Sequence, residues 1–342
     1  MNVKAVVTFT CLLLSLGQPL ISTAQANNER LVICDDVREP VSIDPHKEFT
    51  ARAHTIVQQI FDGLLMFNEN GGIEPCLATT WTRVSPLETH FYLRRGALFH
   101  DGTTVTAHDA AFSIRRYLAP ETGFPARGML MNIKEVKTLD ETKLAILTKY
   151  PDGMLESKLA VLRVVPEKAV RQMGDAEFAQ KPIGSGPFSF TKRIKNKAIH
   201  LRAFDRYWRK GYPKLRGLIF KFYPEKEQIQ ALLAGKVDLL TDVPGTETYR
   251  LKRQGGIELV KKYCFFTYTA SLNNQKHPFS DVRGRKALNH SLHRAHLIKY
   301  EARGNGRILA TCTMPGEFGH NAELRPYSTD EKLARQLFEQ AF

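Results

Sequence analysis

The chain reads Phe99-His100-Asp101-Gly102-Thr103 at a turn and, two residues later, Thr106-Ala107-His108-Asp109 at the start of a helix. The Thr106 hydroxyl can accept a hydrogen bond from an unpaired N–H of the first helical turn, and the Asp109 carboxylate favours the positive end of the helix dipole. Just before the turn, residues 90–94 show the alternation of a strand. This order of strand, turn and helix indicates mixed α/β structure.

The rest of the chain alternates between the same two kinds of element. Helical spacing of apolar residues predicts helices at residues 56–65, 166–173, 225–234, 281–302 and 329–342, with Ser280 as the N-cap of the long one. Hairpins are predicted around Asp140-Glu141-Thr142 and within residues 188–201. Strands are predicted at residues 237–240 and at the aromatic-rich residues 263–268. Strands and helices in alternation are typical of an α/β protein with more than one lobe.

Composition and charge exclude some classes of protein. The 342 residues are 43% hydrophobic and carry a net charge of +14, which predicts about two folded domains and excludes a disordered chain. The basic residues are scattered, and the sequence has no zinc-finger, RNP-like or basic-zipper pattern. We therefore expect no nucleic-acid partner.

The N-terminus has the layout of a secretory signal peptide over residues 1–26. Lys4 gives the positive start, residues 5–17 form a short apolar run, and Ala24-Gln25-Ala26 is a small-x-small cleavage pattern. An uncleaved anchor is the alternative. Export to an oxidising compartment permits disulfides. Cys34, Cys76, Cys264 and Cys312 would remain in the mature chain, and three full pairings or buried thiols stay open.

Motifs of enzyme chemistry are missing from the sequence. It contains no GxxxxGK[ST], GxGxxG, GxSxG or HExxH, so we expect neither catalysis nor a bound cofactor. His290, His293 and His296 are spaced i, i+3, i+6 on a predicted helix, and imidazoles at that spacing are weak candidates for a metal site. Because His296 is rotated by about 120° from His290, an ordinary helix surface is the favoured interpretation.

An ordered set of motifs resembles the bacterial solute-binding proteins of family 5, the extracytoplasmic receptors of oligopeptide, dipeptide and nickel ABC importers. The motifs run through the whole mature chain. They are Ser42-Ile43-Asp44-Pro45-His46, Phe61-Asp62-Gly63-Leu64-Leu65, Glu74-Pro75-Cys76-Leu77-Ala78-Thr79-Thr80-Trp81, Phe99-His100-Asp101-Gly102-Thr103, Gly184-Ser185-Gly186-Pro187-Phe188, Ala234-Gly235-Lys236-Val237-Asp238 and Asn273-Asn274-Gln275-Lys276-His277-Pro278-Phe279.

The resemblance implies an α/β fold: a multi-lobed clamshell of the periplasmic-binding-protein type with mixed sheets. Residues 27–70 and 181–270 would form a discontinuous first lobe, residues 71–180 an inserted smaller lobe, and residues 271–342 the start of a third lobe. Family members continue past the point where this sequence stops, so the second large lobe would be incomplete. Two smaller departures are Gly284, where the family has an apolar residue, and His293, where it usually has Asp.

The resemblance also implies a function and a site. The protein would be a periplasmic, monomeric receptor that captures peptides and delivers them to an ABC permease, and peptides in this family are bound largely through their main chain. The residues placed at the ligand are Glu39, Val41, Ser42, Thr241, Asp242, Tyr268 and Ser271, and the last two would be strand residues. Two alternatives stay open: a metal (nickel) or haem receptor of the same family, or a truncated remnant without binding activity.

Overall fold

The structure is a computed structural model, and it describes residues 4–8, 30–36, 38–261, 267–315 and 319–342. These residues fold into two compact units. Unit 1 contains residues 30–242 and unit 2 contains Val243–Phe342. Within the predicted signal peptide the structure describes only Lys4–Thr8, a strand with residues in both units; the rest of that peptide lies outside the described residues.

Strands and helices alternate along the chain. In chain order the strands are β1 (Lys4–Thr8), β2 (Arg30–Asp36), β3 (Leu65–Phe67), β4 (Ile73–Pro75), β5 (Ala78–Ser85), β6 (Glu88–Leu93), β7 (Ile133–Asp140), β8 (Lys143–Thr148), β9 (Phe188–Ile194), β10 (Ala198–Ala203), β11 (Gly217–Phe222), β12 (Leu239–Leu240) and β13 (Ile257–Lys261). The helices are α1 (Ala51–Ile60), α2 (Ala107–Leu118), α3 (Leu155–Val161), α4 (Glu167–Phe178), α5 (Glu225–Leu233), α6 (Thr248–Lys252), α7 (Val282–Ser291), α8 (Arg294–His296) and α9 (Glu331–Ala341).

The first sheet of unit 1 has the strand order β12-β2-β11-β10-β9. Strand β2 runs parallel to both β11 and β12, whereas β10 is antiparallel to β11 and β9. Several residues of these strands, such as Ile33, Ile199 and Phe220, are buried. Because β2 lies between two parallel neighbours, the loops after β2, β11 and β12 leave the sheet at one edge.

The second sheet of unit 1 is antiparallel, in the order β5-β6-β8-β7, beside the small β3-β4 hairpin. Helix α2 packs on β7 and β8, and Phe91, Phe99 and Tyr117 are among its fully buried side chains. The predicted capping box is present, since Thr106 and Asp109 bond reciprocally at the start of α2. Both predicted hairpins also form, as β7–β8 and β9–β10.

Three helix predictions need correction. The helix expected at residues 56–65 ends at Ile60, because the chain then passes so close to its neighbours that a Cβ at Gly63 would overlap the Leu162 carbonyl oxygen. The helix expected to stop before Gly174 instead kinks there, where φ is 71°, and continues to Phe178. The long helix expected at residues 281–302 is broken after Ser291, and its N-cap is Asp281 rather than Ser280.

The break after α7 has a local cause. Leu292 and His293 adopt non-helical backbone angles. The Arg294 guanidinium turns back and donates to the Asn289 carbonyl oxygen at 3.0 Å and to its amide oxygen at 2.6 Å. A side chain thus satisfies a carbonyl near the end of α7 that a continuous helix would have bonded internally. Unit 2 also contains α6, α8 and β13, and its helices α7 and α9 pack against each other.

Candidate functional site

The predicted ligand residues of unit 1 lie at one edge of the first sheet. The segment containing Glu39, Val41 and Ser42 follows β2, and Thr241 and Asp242 follow β12, the parallel neighbour of β2. Ligands of open α/β sheets bind outside the carboxyl ends of the strands. The structure therefore brings both groups to the edge where such a site is expected. We call residues 38–43 the edge segment.

Glu39 is engaged by a side chain from a distant strand. Arg193 on β9 donates from Nε to Glu39 Oε2 and contacts Oε1 through Nη2, both at 3.1 Å, and Nη2 also donates to the Pro40 carbonyl oxygen. Both side chains are mostly buried, at 9% and 16% exposure. A two-pronged Arg–carboxylate pair fixes geometry as well as charge. Glu39 thus positions the edge segment, and its charge is compensated within unit 1.

Val41 and Ser42 differ in exposure. Val41 is 90% exposed, so this one residue has little packing against the described part of the chain. The Ser42 hydroxyl accepts a hydrogen bond from the Asp44 N–H at 3.0 Å. The edge segment is therefore fastened on either side of an exposed Val41, by Glu39 before it and by Ser42 after it.

Thr241 joins the two loops of the edge. Its hydroxyl donates to Asp35 Oδ1 at 2.5 Å, and its N–H donates to the Cys34 carbonyl oxygen at 3.2 Å. Asp242 follows and is exposed. Asp35 was missed by sequence reasoning; its position at the carboxyl end of a strand beside a parallel neighbour is the signal that points to it.

An ion network centred on the buried Asp44 lies directly after the edge segment in the chain. The Asp44 side chain, with 0% exposure, pairs with Arg116 of α2 through bonds of 3.0 and 2.6 Å, and it also accepts the His46 N–H. Arg116 continues to Asp175 at 2.8 Å, which Lys47 contacts at 2.7 Å. Sequence reasoning did not single out Arg116, because its partner is 72 residues away.

Two buried side chains near these elements have shifted pKa values. Burial lowers the pKa of His46 to about 3, and its ring lies 3.8 Å from that of Tyr117. Burial raises the pKa of Asp62 to about 6, against opposing hydrogen bonds from Trp208 Nε1 at 2.7 Å and the Tyr207 hydroxyl at 3.2 Å. Asp62 thereby ties the chain after α1 to the loop after β10.

The two remaining predicted ligand residues belong to unit 2. Tyr268 is 93% exposed, and Ser271 is also exposed. They were expected on a strand, but the described residues 267–273 form no helix or strand, which corrects that expectation. The preceding residues of the predicted aromatic strand, 263–266, lie outside the described residues.

The three histidines considered as a metal site, His290, His293 and His296, have different contacts. His290 Nδ1 lies 2.8 Å from the Ser328 carbonyl oxygen, and His293 Nε2 lies 2.8 Å from Glu331 Oε1. The His293 and His296 rings stack with centroids 5.1 Å apart. Among the described residues, no group of three His, Cys, Asp or Glu side chains is arranged to hold a metal ion.

Cys34 and Cys76 are buried and Cys312 is exposed, and no disulfide joins these three described cysteines. Cys264, the fourth cysteine of the predicted mature chain, lies outside the described residues.

Among the helices that the structure describes, none has the length and apolar character that crossing a bilayer requires.

A family model matches most of the chain. Residues 72–342 match the bacterial extracellular solute-binding proteins, family 5 Middle. The periplasmic oligopeptide-binding protein OppA of Haemophilus influenzae is 26% identical, over 91% of this chain and 62% of OppA. Heme-binding protein A of the same species is 25% identical, over 94% of this chain and 64% of that protein. The chain thus spans about three fifths of the length of these relatives.

The fold is shared with solved structures as well. The structure of NikZ from Campylobacter jejuni in complex with Ni(L-His) superposes with a TM-score of 0.81 at 22% identity, covering 92% of this chain and 64% of NikZ. This likeness concerns the fold. The predicted fold class, a mixed α/β fold of the periplasmic-binding-protein kind with several sheets, is confirmed.

Proposed function

The chain belongs to the bacterial extracellular solute-binding proteins of family 5, and from this premise we propose that it is a periplasmic receptor that captures peptides and delivers them to an ABC permease. Proteins of this family are transport receptors. In this proposal the chain is a monomer without enzymatic activity, and Glu39, Val41, Ser42, Thr241, Asp242, Tyr268 and Ser271 lie near the ligand. The lobe boundaries given above belong to the same proposal.

The observation that supports peptide capture is the exposure of Val41 in a segment whose neighbouring residues are fastened. Glu39 is fastened to Arg193 and Ser42 to Asp44, whereas Val41 between them is 90% exposed. A short segment held rigid on both sides and open in the middle can pair with an extended peptide through main-chain hydrogen bonds. Holding it in place beforehand lowers the entropy that a ligand must lose on binding.

The proposal is tested by ligand-induced shifts in thermal unfolding of the full chain. The protein is heated with and without a mixed library of di- to hexapeptides, because a ligand selective for the folded state raises its stability. Two variants separate main chain from side chain. Val41→Pro removes the amide donor, whereas Val41→Ala keeps it and deletes an exposed side chain. We expect Val41→Ala to retain the peptide shift and Val41→Pro to lose it.

Other ligands distinguish the alternatives within the family. Hemin and Ni²⁺ with L-histidine are added in parallel, because one matched relative is named a heme-binding protein and the matched NikZ structure is a complex with Ni(L-His). If only hemin or only nickel raised the unfolding temperature, the result would contradict peptide capture but still support a receptor function. A cooperative transition that none of the three ligands moves would contradict the receptor proposal and favour a remnant without binding activity.

A further inference from the structure

Positive charge is concentrated in three neighbouring strands of the first sheet and in the loops between them. Residues 188–222, which contain β9, β10 and β11, have eleven Lys and Arg residues and a single acidic residue, Asp205. They thus account for +10 of the net charge of +14. No more than two of these cations are consecutive in the sequence, so it is the pairing of the strands that brings them together.

The strand register places basic side chains on one face of this sheet. His200 on β10 pairs with Lys192 on β9 and with Ile219 on β11, and alternate residues of a strand point to the same face. The pKa of His200 is lowered, first by burial and then by the positive charges of Lys192, Arg30 and Lys221. We call five residues the basic face: Arg30, Lys192, His200, Arg202 and Lys221.

The row beside His200 brings two arginines together. Arg202 pairs with Gly217, and Gly217 pairs with Arg30 on β2. A Cβ at Gly217 would lie 3.4 Å from Cγ of Arg30, so the Arg30 side chain leans over β11, the strand that separates it from Arg202. The absence of a side chain at Gly217 thus allows one arginine to approach the other across the sheet.

The charge of the basic face is not compensated within the described part of the chain. There, Arg30, Lys192 and Arg202 take part in no ion pair, and all three are exposed. Lys221 Nζ donates to a main-chain carbonyl oxygen at 2.9 Å. The Asp238 carboxylate, on the other side of β2, accepts a main-chain N–H of that strand at 2.9 Å. The basic face therefore presents its charge to solvent.

The loop between β10 and β11 extends this positive surface at the amino ends of β2 and β11. The two strands stay bonded at its base, where the Ala203 N–H donates to the Arg216 carbonyl oxygen at 2.9 Å. In the loop, Arg209 Cζ lies 4.6 Å and Lys214 Nζ 5.9 Å from the centroid of the Tyr212 ring. Tyrosine is enriched where proteins meet the membrane–water interface. The edge segment follows the opposite end of β2, so it lies outside this surface.

We propose that the basic face binds the anionic headgroup surface of a phospholipid bilayer. Its charges spread over four strands, about 14 Å at the usual strand spacing, with the apolar Ile219 and Val32 as paired neighbours between them. Lysine is depleted from protein–protein interfaces, whereas anionic lipid surfaces attract clusters of Lys and Arg. A bilayer therefore fits this face better than an acidic polypeptide does. This inference goes beyond the proposed function and does not depend on which solute is bound.

Binding is measured by sedimenting the full chain with lipid vesicles. One set contains equal parts of the anionic lipid phosphatidylglycerol and phosphatidylcholine, and the other contains phosphatidylcholine alone. The partition coefficients are compared as a ratio, because the apolar residues 5–17 would bind both kinds of vesicle and cancel. We expect the anionic vesicles to bind about a hundredfold or more tightly at low salt. The ratio should fall at high salt, since ions screen exposed charges.

Two double variants with the same net charge test the basic face itself. Lys192→Gln with Arg202→Gln removes two of its cations. A Lys or Arg near an anionic surface strengthens binding about fivefold (about 1 kcal/mol), so we expect the ratio to fall about 25-fold. Lys134→Gln with Lys168→Gln, on β7 and α4, is the control and should change the ratio by less than about twofold. All four side chains are exposed, and unchanged thermal midpoints verify that the variants fold.

Lysine acetylation followed by mass spectrometry locates the contact on the parent protein. Bound anionic vesicles should protect Lys192 and Lys214 from acetylation and leave Lys134 and Lys168 as reactive as in the free chain. The same reaction with poly-L-glutamate in place of vesicles tests an acidic polypeptide as the occupant.

Four results would overturn the membrane proposal. One is equal partition of the parent into both kinds of vesicle. Another is an equal loss in the two double variants, since binding would then follow net charge alone. A third is release from anionic vesicles by inorganic phosphate but not by KCl of the same ionic strength, which would indicate a site for free phosphate. The last is protection of Lys192 by poly-L-glutamate but not by vesicles. Because these measurements contain no solute, such a failure is distinct from a failure to bind peptide.

Discussion

Replacing Asp44 with alanine should lower the free energy of unfolding of unit 1 more than replacing Asp175, the exposed end of the same ion network. Asp44 has 0% exposure and pairs with the mostly buried Arg116 through two hydrogen bonds of 3.0 and 2.6 Å. It also accepts the His46 N–H at 2.9 Å. Asp44→Ala removes all three bonds and leaves a guanidinium with only Asp175 to balance its charge.

The expected loss follows from burial. Removing one partner of a buried ion pair costs about 3–5 kcal/mol, because the remaining charge stays desolvated. Asp175→Ala removes the other carboxylate of the network, but that side chain is 47% exposed, and exposed ion pairs contribute about 0–1 kcal/mol. We therefore expect the free energy of unfolding to fall by at least about 2 kcal/mol more for Asp44→Ala than for Asp175→Ala.

Urea unfolding followed by tryptophan fluorescence measures this difference in unit 1. The sequence has two tryptophans, Trp81 and Trp208, and both lie in unit 1. Asp44→Asn is the second variant and keeps the volume of the side chain. It should be destabilised nearly as much as Asp44→Ala, because the buried Arg116 charge again loses its charged partner. Equal losses for Asp44→Ala and Asp175→Ala, at one denaturant slope, would show that burial of Asp44 does not control the energy of the network.

Three further outcomes are expected. Because the pKa of Asp62 is raised to about 6 in the folded state, its contribution to stability is present below pH 4 and lost as pH rises to 6. The stability of Asp62→Asn relative to the parent should then rise by about 2–3 kcal/mol between pH 4 and 7 in urea titrations, and a pH-independent difference would contradict the shift. Gly284→Ala should lower the thermal midpoint of unit 2 despite the higher helix propensity of alanine, because the new Cβ would overlap a backbone carbonyl oxygen; Gly153→Ala, with open space around it, should change little. Thr241→Val should lower the free energy of unfolding in urea by about 1–2 kcal/mol, because Asp35 loses a hydroxyl donor. An unchanged urea midpoint would contradict a stabilising role for this hydrogen bond.

Features set by neighbouring residues could be predicted from the sequence. The capping box of α2 needs only Thr106 and Asp109, three residues apart, and it forms as expected. The β7–β8 hairpin turns within a few residues, and its position is also correct. Local geometry alone determines such elements, so a periodic pattern or a cap is sufficient to place them.

Features set by distant partners could not be predicted. The apolar pattern of residues 56–65 continues past Ile60, but the helix ends because Leu162, a hundred residues later, lies against Gly63. Gly284, noted above only as a departure from the family's apolar residue, allows α7 to approach the Pro278 carbonyl. In both cases a backbone contact, which leaves no periodic signal in the sequence, decides the local conformation.

The candidate site shows the same division. The positions of Glu39, Val41 and Thr241 were reached through resemblance, while what fastens them became visible only in the fold. Glu39 is held by a residue 154 positions away, and Thr241 bonds to one 206 positions away. Both bonds join residues of unit 1. The effect of Val41→Pro on peptide binding therefore tests a segment that is fastened by side chains of unit 1 itself.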